Sequence, residues 1–570
     1  MKPRSRLGRL LFLALPLLTS GELFADDLAT CVVDPFDVRP ILPVSQPTDL
    51  ACTQAITASA TPGEFEAASF AIKSARELRN VSISASDLAS VRARMPAQSV
   101  DLKYVKAWYQ AKGAQNPVKR DGRHRVLVPE LLLNDYDLVQ VDNARSRNLL
   151  RTVDGKLVDI STEGPAPSDL VVHPPDQLNV RDSASLGETT FVAGEMRQIW
   201  ITISVPSDAL PGEYRGSVKI SQRDAGVLAE VPIQLRVLPF RLAPPMLEYS
   251  MYYRGQLDPT GRGSVSSELK SEVQLTAELR DMRDHGVTNP TIYQKQLAKF
   301  GRVLELRAKE GISNHRIFQL SIDAGQFSSK DTNALNQRRF AELKDITRSF
   351  GVSDLFVYGR DEATPEEIIA QRDIWGRVRR AGGRPFAAAY RYGSAEREYR
   401  GVLDVLVLGI PFDQQVVSDL RAGGTRVYAY NQPQVGVEAA AAYRYAYGVL
   451  AWRAGFDGVM PYAYQHSMGS IWNDFDHPRF KDHVFAYPTV DGIISTLAWE
   501  GFREAVDDVR HISTLALLAA HDGTGQAAKL IQAIKRGDVP PQKARKLLEK
   551  ESTRICEVTT RGPRHELCRP

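Results

Sequence analysis

The hydrophobic period of this chain changes near residue 242. Before it, short runs alternate apolar and polar residues between turn residues; after it, apolar strand-like runs alternate with amphipathic helical ones. A period of two buries one face of a strand, and a period near 3.6 buries one stripe of a helix. The two halves therefore cannot share one architecture. A single core rarely outgrows about 250–300 residues, and this chain has 570.

In the first half the runs include Phe65–Ile72, Val81–Ser84, Leu102–Tyr109, Ile199–Val205 and Val231–Val237. Pro211-Gly212-Glu213-Tyr214 turns into a further strand at Gly216–Ile220. Many short strands with few helical stretches predict a β-sandwich over residues 26–242. After Leu238-Pro239-Phe240 and Ala243-Pro244-Pro245, eight strands are expected near Leu247–Tyr253, Val287–Tyr293, His315–Ile322, Asp354–Tyr358, Pro385–Tyr390, Leu403–Leu408, Val427–Tyr430 and Gly458–Tyr464. Helices fall between them at Ser267–His285, Asn333–Phe350, Pro365–Arg380 and Val437–Ala454. Eight such units in about 250 residues predict a (β/α)₈ TIM barrel, here over 243–521. A doubly wound open sheet is the alternative, but no GxGxxG follows a first strand. Helices at Ile493–His521 and Pro541–Glu549 close the barrel and build a short helical C-terminal tail over 522–570.

The first 25 residues are expected to be a signal peptide, with Lys2, Arg4, Arg6 and Arg9 ahead of an apolar Leu10–Leu18. Leu23 is large for the −3 position of a cut after Ala25, and Glu22, Asp26 and Asp27 argue against a lipid-bearing Cys31. The apolar run is too short to span a membrane, which takes about 20 residues, so a secreted or periplasmic location and no membrane span are predicted. The net charge is +4; removing the first 25 residues, with four basic side chains and one acidic, leaves +1. That balance does not point to nucleic acid. Cys31, Cys52, Cys556 and Cys568 suit an oxidising compartment. Three pairings are formally possible; Cys31–Cys52 with Cys556–Cys568 closes the shortest loops. No CxxC or HxxxH spacing accompanies them, so neither a metal nor a cofactor is expected.

Barrel active sites lie at the C-terminal ends of the strands. The fourth strand ends in Gly359-Arg360-Asp361-Glu362, and Thr364-Pro365-Glu366-Glu367 then reads as a capped helix start. That start places Asp361 and Glu362, the candidate catalytic pair, on the rim. Neighbours on a strand point to opposite faces, so both reach one ligand only if the backbone bends, which Gly359 would ease. Hydrogen-bonding aromatics gather at the other strand ends: Tyr390 and Tyr392, Tyr428 and Tyr430 with Asn431, then Tyr462, Tyr464 and His466, followed by Trp472. Arg254 at the end of strand one is counted with them. Ring faces with polar tips suit a sugar, so the expected partner is a glycan or polysaccharide; the oligomeric state is left open. A retaining glycosidase of the usual kind needs a second carboxylate about 5–5.5 Å from the acid. Strand seven ends Tyr430-Asn431-Gln432-Pro433 without one, and Asp323 and Asp413 are the remaining candidates.

With these residues in hand, the sequence resembles glycoside hydrolase family 123. The likeness is carried by Pro62–Ala71, Val205–Tyr214, Asp361-Glu362, Tyr487–Gly492 and above all Trp499–Arg510. It implies β-N-acetylgalactosaminidase chemistry in which the substrate's 2-acetamido oxygen attacks C1. It further implies that Asp361 orients the acetamido N–H and that Glu362 serves as acid and then base. A tyrosine, Tyr430 or Tyr462, would hold the acetamido oxygen. Arg503, Glu504, Asp507 and Asp508 repeat at helical spacing and read as a structural ion network. The alternatives are a glycosidase for another sugar with Asp323 or Asp413 as nucleophile, and a non-catalytic glycan-binding barrel.

Overall fold

The computed structural model describes residues 28–112, 121–163, 178–323, 333–389, 401–409, 413–430, 433–436, 439–477, 480–558 and 565–568. The expected signal peptide lies outside them. In the first half, two β-sheets face each other. One has five strands in the order Leu28–Val33, Phe65–Ser74, Met196–Ser204, Val100–Lys112 and Asp121–Leu133. The other runs Thr189–Phe191, Leu78–Ala85, Gly212–Gln222, Gly226–Val237 and Ile56–Ala60, with two short strands beside it. Alternation explains the burial: Val231, Ile233, Leu235 and Val237 face the core while Pro232, Gln234 and Arg236 face out. Met196–Ser204 is buried on nearly every residue. Its second face carries Trp200, which packs with Phe36, Val105 and Leu132 against Ala440 and Ala441 of the barrel.

The barrel has the eight strands expected: Glu248–Met251, Asn289–Pro290, Arg316–Asp323, Asp354–Tyr358, Arg384–Ala389, Val405–Leu408, Arg426–Ala429 and Gly458–Val459. Every neighbouring pair is parallel. The ring closes between strands two and three at Ile292, whose N–H donates to Phe318 O (2.9 Å) and whose carbonyl accepts from Leu320 N (2.8 Å). Phe318, Phe356, Phe386, Val405, Val407 and Met460 fill the lumen. A larger cluster lies between strands and helices.

Several element boundaries differ from those expected, each for a local reason. The helix expected at Val437–Ala454 runs as Ala440–Tyr445, Ala446–Leu450 and Ala451–Ala454, because Gly448 leaves helical geometry. A Cβ there would meet the Ala505 backbone at 3.1 Å. Ile493–Ser495 is a strand paired with Ala486–Pro488, and the helix Leu497–Leu518 starts only after Thr496, which caps it. The tail helix extends over Pro541–Val558. Helices Phe300–Lys309 and Gln414–Ala422 fill further connections between strands, and Gln526–Arg536 lies in the helical tail. The disulfides are Cys31–Cys52 and Cys556–Cys568, the short-loop pairing. Among the described residues no helix is long and apolar enough to cross a membrane.

Candidate active site

The fourth strand stops at Tyr358, and the chain then turns over the mouth of the barrel. Gly359 N donates to Phe386 O of strand five (2.6 Å), and Arg360 N to the side chain of Gln371 (2.6 Å). The helix Pro365–Arg380 begins with the capping box read from Thr364 and Glu367. Between these two anchors lie Asp361 and Glu362. The bend that brings both carboxylates to the mouth occurs at Glu362, whose φ is +46°. Gly359 is required for another reason: a Cβ there would meet Trp375, Ala387 and Gln371 at 3.1–3.3 Å. The left-handed region costs a residue with a side chain about 1–2 kcal/mol, and such strain gathers at functional sites.

Each carboxylate has a tyrosine partner from the barrel wall. Tyr358 donates to Asp361 Oδ1, and Tyr430 of the seventh strand's end donates to Glu362 Oε1 at 3.0 Å. Tyr252, from the end of strand one, reaches Tyr358 hydroxyl to hydroxyl at 3.4 Å. Both acids are open to the mouth. Even so, desolvation by the surrounding rim raises the Asp361 carboxyl above its usual range, opposed by the Tyr358 hydroxyl and the Glu362 N–H. Glu362 is raised by desolvation and then by the charge of Asp361, opposed by Tyr430. Two neighbouring carboxyls of raised affinity for protons can hold one proton between them, which is what general acid–base work requires.

Of the other expected ligands, Arg254, Tyr462 and His466 come together on one side. Arg254 pairs with Glu268 and donates to the Tyr462 hydroxyl (3.3 Å), which lies 2.8 Å from His466 Nδ1. The Arg254 guanidinium also sits 4.8 Å from the Tyr293 ring centroid. Three expectations are corrected. Tyr428 is buried low in the lumen, with its hydroxyl on Glu248 at the opposite end (2.6 Å). Tyr464 is buried against Trp499 and donates to Asp281 (2.7 Å). Its spacing of two from Tyr462 does not put the two on one face, because the eighth strand ends at Val459. Trp472 is buried against Trp108 and Tyr487 and donates to Pro488 O (3.1 Å). Tyr390, Tyr392 and Asn431 lie outside the described residues. Asp413 caps the helix Gln414–Ala422 through Gln415 N and Val416 N, which commits it to that helix. Asp323 ends the third strand.

Sequence reading missed Tyr252, Tyr358, Glu268 and Tyr293. Tyr252 and Tyr358 stand at strand ends three or fewer residues from rim positions already singled out, and that spacing was the available signal. Glu268 had none, since only the fold brings it to Arg254. Among the described residues no cluster of His, Cys, Asp and Glu is arranged to hold a metal ion.

Neither a family model nor a curated protein matches this sequence. Solved structures do. A family 123 glycoside hydrolase from Clostridium perfringens, described for glycolipid glycan hydrolysis, aligns with a TM-score of 0.61 at 12% identity over 93% of this chain and 97% of its own. A glycosyl hydrolase family 2 member from Bacteroides cellulosilyticus aligns at 0.26 with 12% identity, over 71% of this chain and 44% of its own. A GH113 β-1,4-mannanase aligns at 0.30 with 8% identity, over 46% of this chain and 99% of its own. In fold, the chain is similar to the family 123 glycoside hydrolase along nearly the whole length of both, sandwich first and barrel second.

Proposed function

We propose that the protein is an exported glycoside hydrolase that cleaves β-linked N-acetylhexosamine glycans, of the N-acetylgalactosamine type, with retention and with the substrate's own acetamido group as nucleophile. The observation that carries this reading is the Asp361-Glu362 turn, with Glu362 at positive φ and a separate tyrosine on each carboxylate. In the first step the acetamido oxygen attacks C1 while Glu362 gives its proton to the leaving oxygen. Asp361, as the anion, accepts the acetamido N–H and stabilises the charge that develops on the oxazolinium ring. In the second step Glu362 takes a proton from the water that opens that ring. Substrate assistance is supported by Asp413 being committed to a helix cap and by the absence of an acid in Tyr430-Asn431-Gln432-Pro433. Export is supported by the two disulfides.

A panel of nitrophenyl glycosides tests the substrate, and the thiazoline analogue of the oxazolinium intermediate tests the mechanism. The expected result is turnover of the N-acetyl-β-galactosaminide with competitive inhibition by the thiazoline. A covalent glycosyl adduct trapped on Asp323 would replace substrate assistance by a protein nucleophile. Glycan binding without product release, unchanged in Asp361→Asn/Glu362→Gln, would make the barrel a binding module.

A further inference from the structure

Two hydroxyls reach the carboxylate pair from different parts of the wall, and their seats differ. Tyr358 lies directly before the turn and donates to Asp361, with Tyr252 behind it. Tyr430 is buried at the end of strand seven, and its ring lies against Gly409 at the end of strand six. A Cβ on Gly409 would come within 2.5 Å of that ring and 3.0 Å of its hydroxyl. Only glycine leaves Tyr430 where it can reach Glu362.

A hydroxyl donating to a carboxylate favours the anion. Asp361 is held by the Tyr358 O–H, whereas the Glu362 carboxylate is held by Tyr430 and the Glu362 backbone N–H donates to Ala388 O (3.2 Å). Among the described residues, the other titratable groups facing the pair are Tyr252 from strand one and Tyr462 after strand eight; Arg254, beyond Tyr462, is engaged with Glu268. Burial raises both acids, and the charge of Asp361 raises Glu362 further. We propose that Tyr358 and Tyr430 are positioning residues that divide the proton between the two acids. Tyr358 keeps Asp361 the anion, and Tyr430, seated on Gly409, sets how tightly Glu362 holds its proton. The assignment rests on the substrate-assisted reading for its catalytic meaning, since that mechanism needs a charged Asp361 beside a protonated Glu362.

Carbon-13 NMR titration of the full mature chain, labelled at Asp and Glu carboxyls, measures the pair directly, with Asp361→Asn and Glu362→Gln giving the assignments. Tyr358→Phe is expected to raise the lower apparent pKa of the pair by about one pH unit, the size of one charge-assisted hydrogen bond. Tyr430→Phe is expected to raise the upper one similarly and leave the lower in place. Gly409→Ala, which keeps the hydroxyl but fills its seat, should reproduce Tyr430→Phe. In kcat/KM for the nitrophenyl N-acetyl-β-galactosaminide, Tyr358→Phe should move the acidic limb up and narrow the bell, while Tyr430→Phe moves the alkaline limb up and widens it. An unmoved lower pKa in Tyr358→Phe, or a Gly409→Ala titration identical to that of the parent protein, would overturn the assignment. Shifted titrations in a protein that turns over no N-acetylhexosaminide would uphold the tyrosine roles and reject the substrate reading.

Discussion

At the scale of single residues, the site depends on positions where the backbone or the packing permits little choice. Glu362 occupies positive φ, and Gly359 and Gly409 leave room for neighbours that a Cβ would displace. Gly359→Ala presses on Trp375, Ala387 and Gln371 at once. We expect it to lower stability by about 1–3 kcal/mol, the usual cost of overpacking, and to reduce kcat because Gln371 anchors Arg360. Urea unfolding and steady-state kinetics check both, and an unchanged unfolding midpoint would contradict the packing account. The carboxylate pair was legible in the sequence because its address is set by two local signals, an apolar strand before it and a capping box after it. The tyrosine partners were only half legible. Tyr428, Tyr430, Tyr462 and Tyr464 look alike in a list of strand ends, and whether each faces the mouth, the lumen floor or a helix depends on where its strand stops.

Among the elements, the barrel strands open at their N-terminal ends onto a ring of alternating charge. Arg316 and Arg426 flank Glu248, which also accepts from Tyr428 and Asn289; Asp354 links Arg316 to Arg384, and Arg384 reaches Asp404. Burial opposes ionisation of Glu248, but the Tyr428 hydroxyl and the charge of Arg316 outweigh it and hold the carboxyl below its usual range. Its contribution is therefore present above the unfolded carboxyl pKa and lost as pH falls through the lower folded value. Glu248→Ala leaves Arg316, Arg426 and Tyr428 without their shared acceptor and is expected to cost about 3–5 kcal/mol. It should also flatten the acid side of a plot of melting temperature against pH; an equally steep acid side in Glu248→Ala would contradict this. All eight strands were legible because parallel barrel strands are buried on both faces and read as apolar runs. Helix limits were less so. Gly448 breaks a helix for the sake of Ala505, a contact 57 positions away that no local pattern reports.

Across the whole molecule, the sandwich, barrel and tail meet in one buried ion network. Arg545 of the tail helix reaches Asp508 (2.7 Å) and Glu504 (3.2 Å) on the long barrel helix and Glu64 (3.1 Å) in the sandwich. Arg444 joins at Asp508 (2.9 Å), and His511 lies 3.2 Å from Glu64. Pro62–Ala71 and Trp499–Arg510, two of the segments that carry the sequence resemblance, therefore converge on this junction and not on the mouth of the barrel. Arg545→Ala removes one cation from several buried acids and is expected to destabilise by about 3–5 kcal/mol while leaving KM unchanged. A melting temperature equal to that of the parent protein would contradict it. Close by, burial lowers His285, but Asp281 and Glu500 outweigh it and raise the imidazole to about 9. That stabilisation is complete below the unfolded value near 6.5 and is lost as pH rises through about 9. His285→Gln should therefore lose stability at neutral pH and show a weaker fall in melting temperature above pH 8. The sandwich-then-barrel order was legible from period alone; the junction was not, because its charges come from three distant stretches.

We propose that Glu362 is the proton donor and acceptor of a glycosidase. The most direct test is the rate of nitrophenol release from the N-acetyl-β-galactosaminide by the parent protein and by Glu362→Gln, compared at equal folded concentration. The expected result is a fall of roughly 10²–10⁴-fold, the range for loss of a general acid–base group, with thiazoline binding retained. Turnover by Glu362→Gln at the parent rate would contradict it.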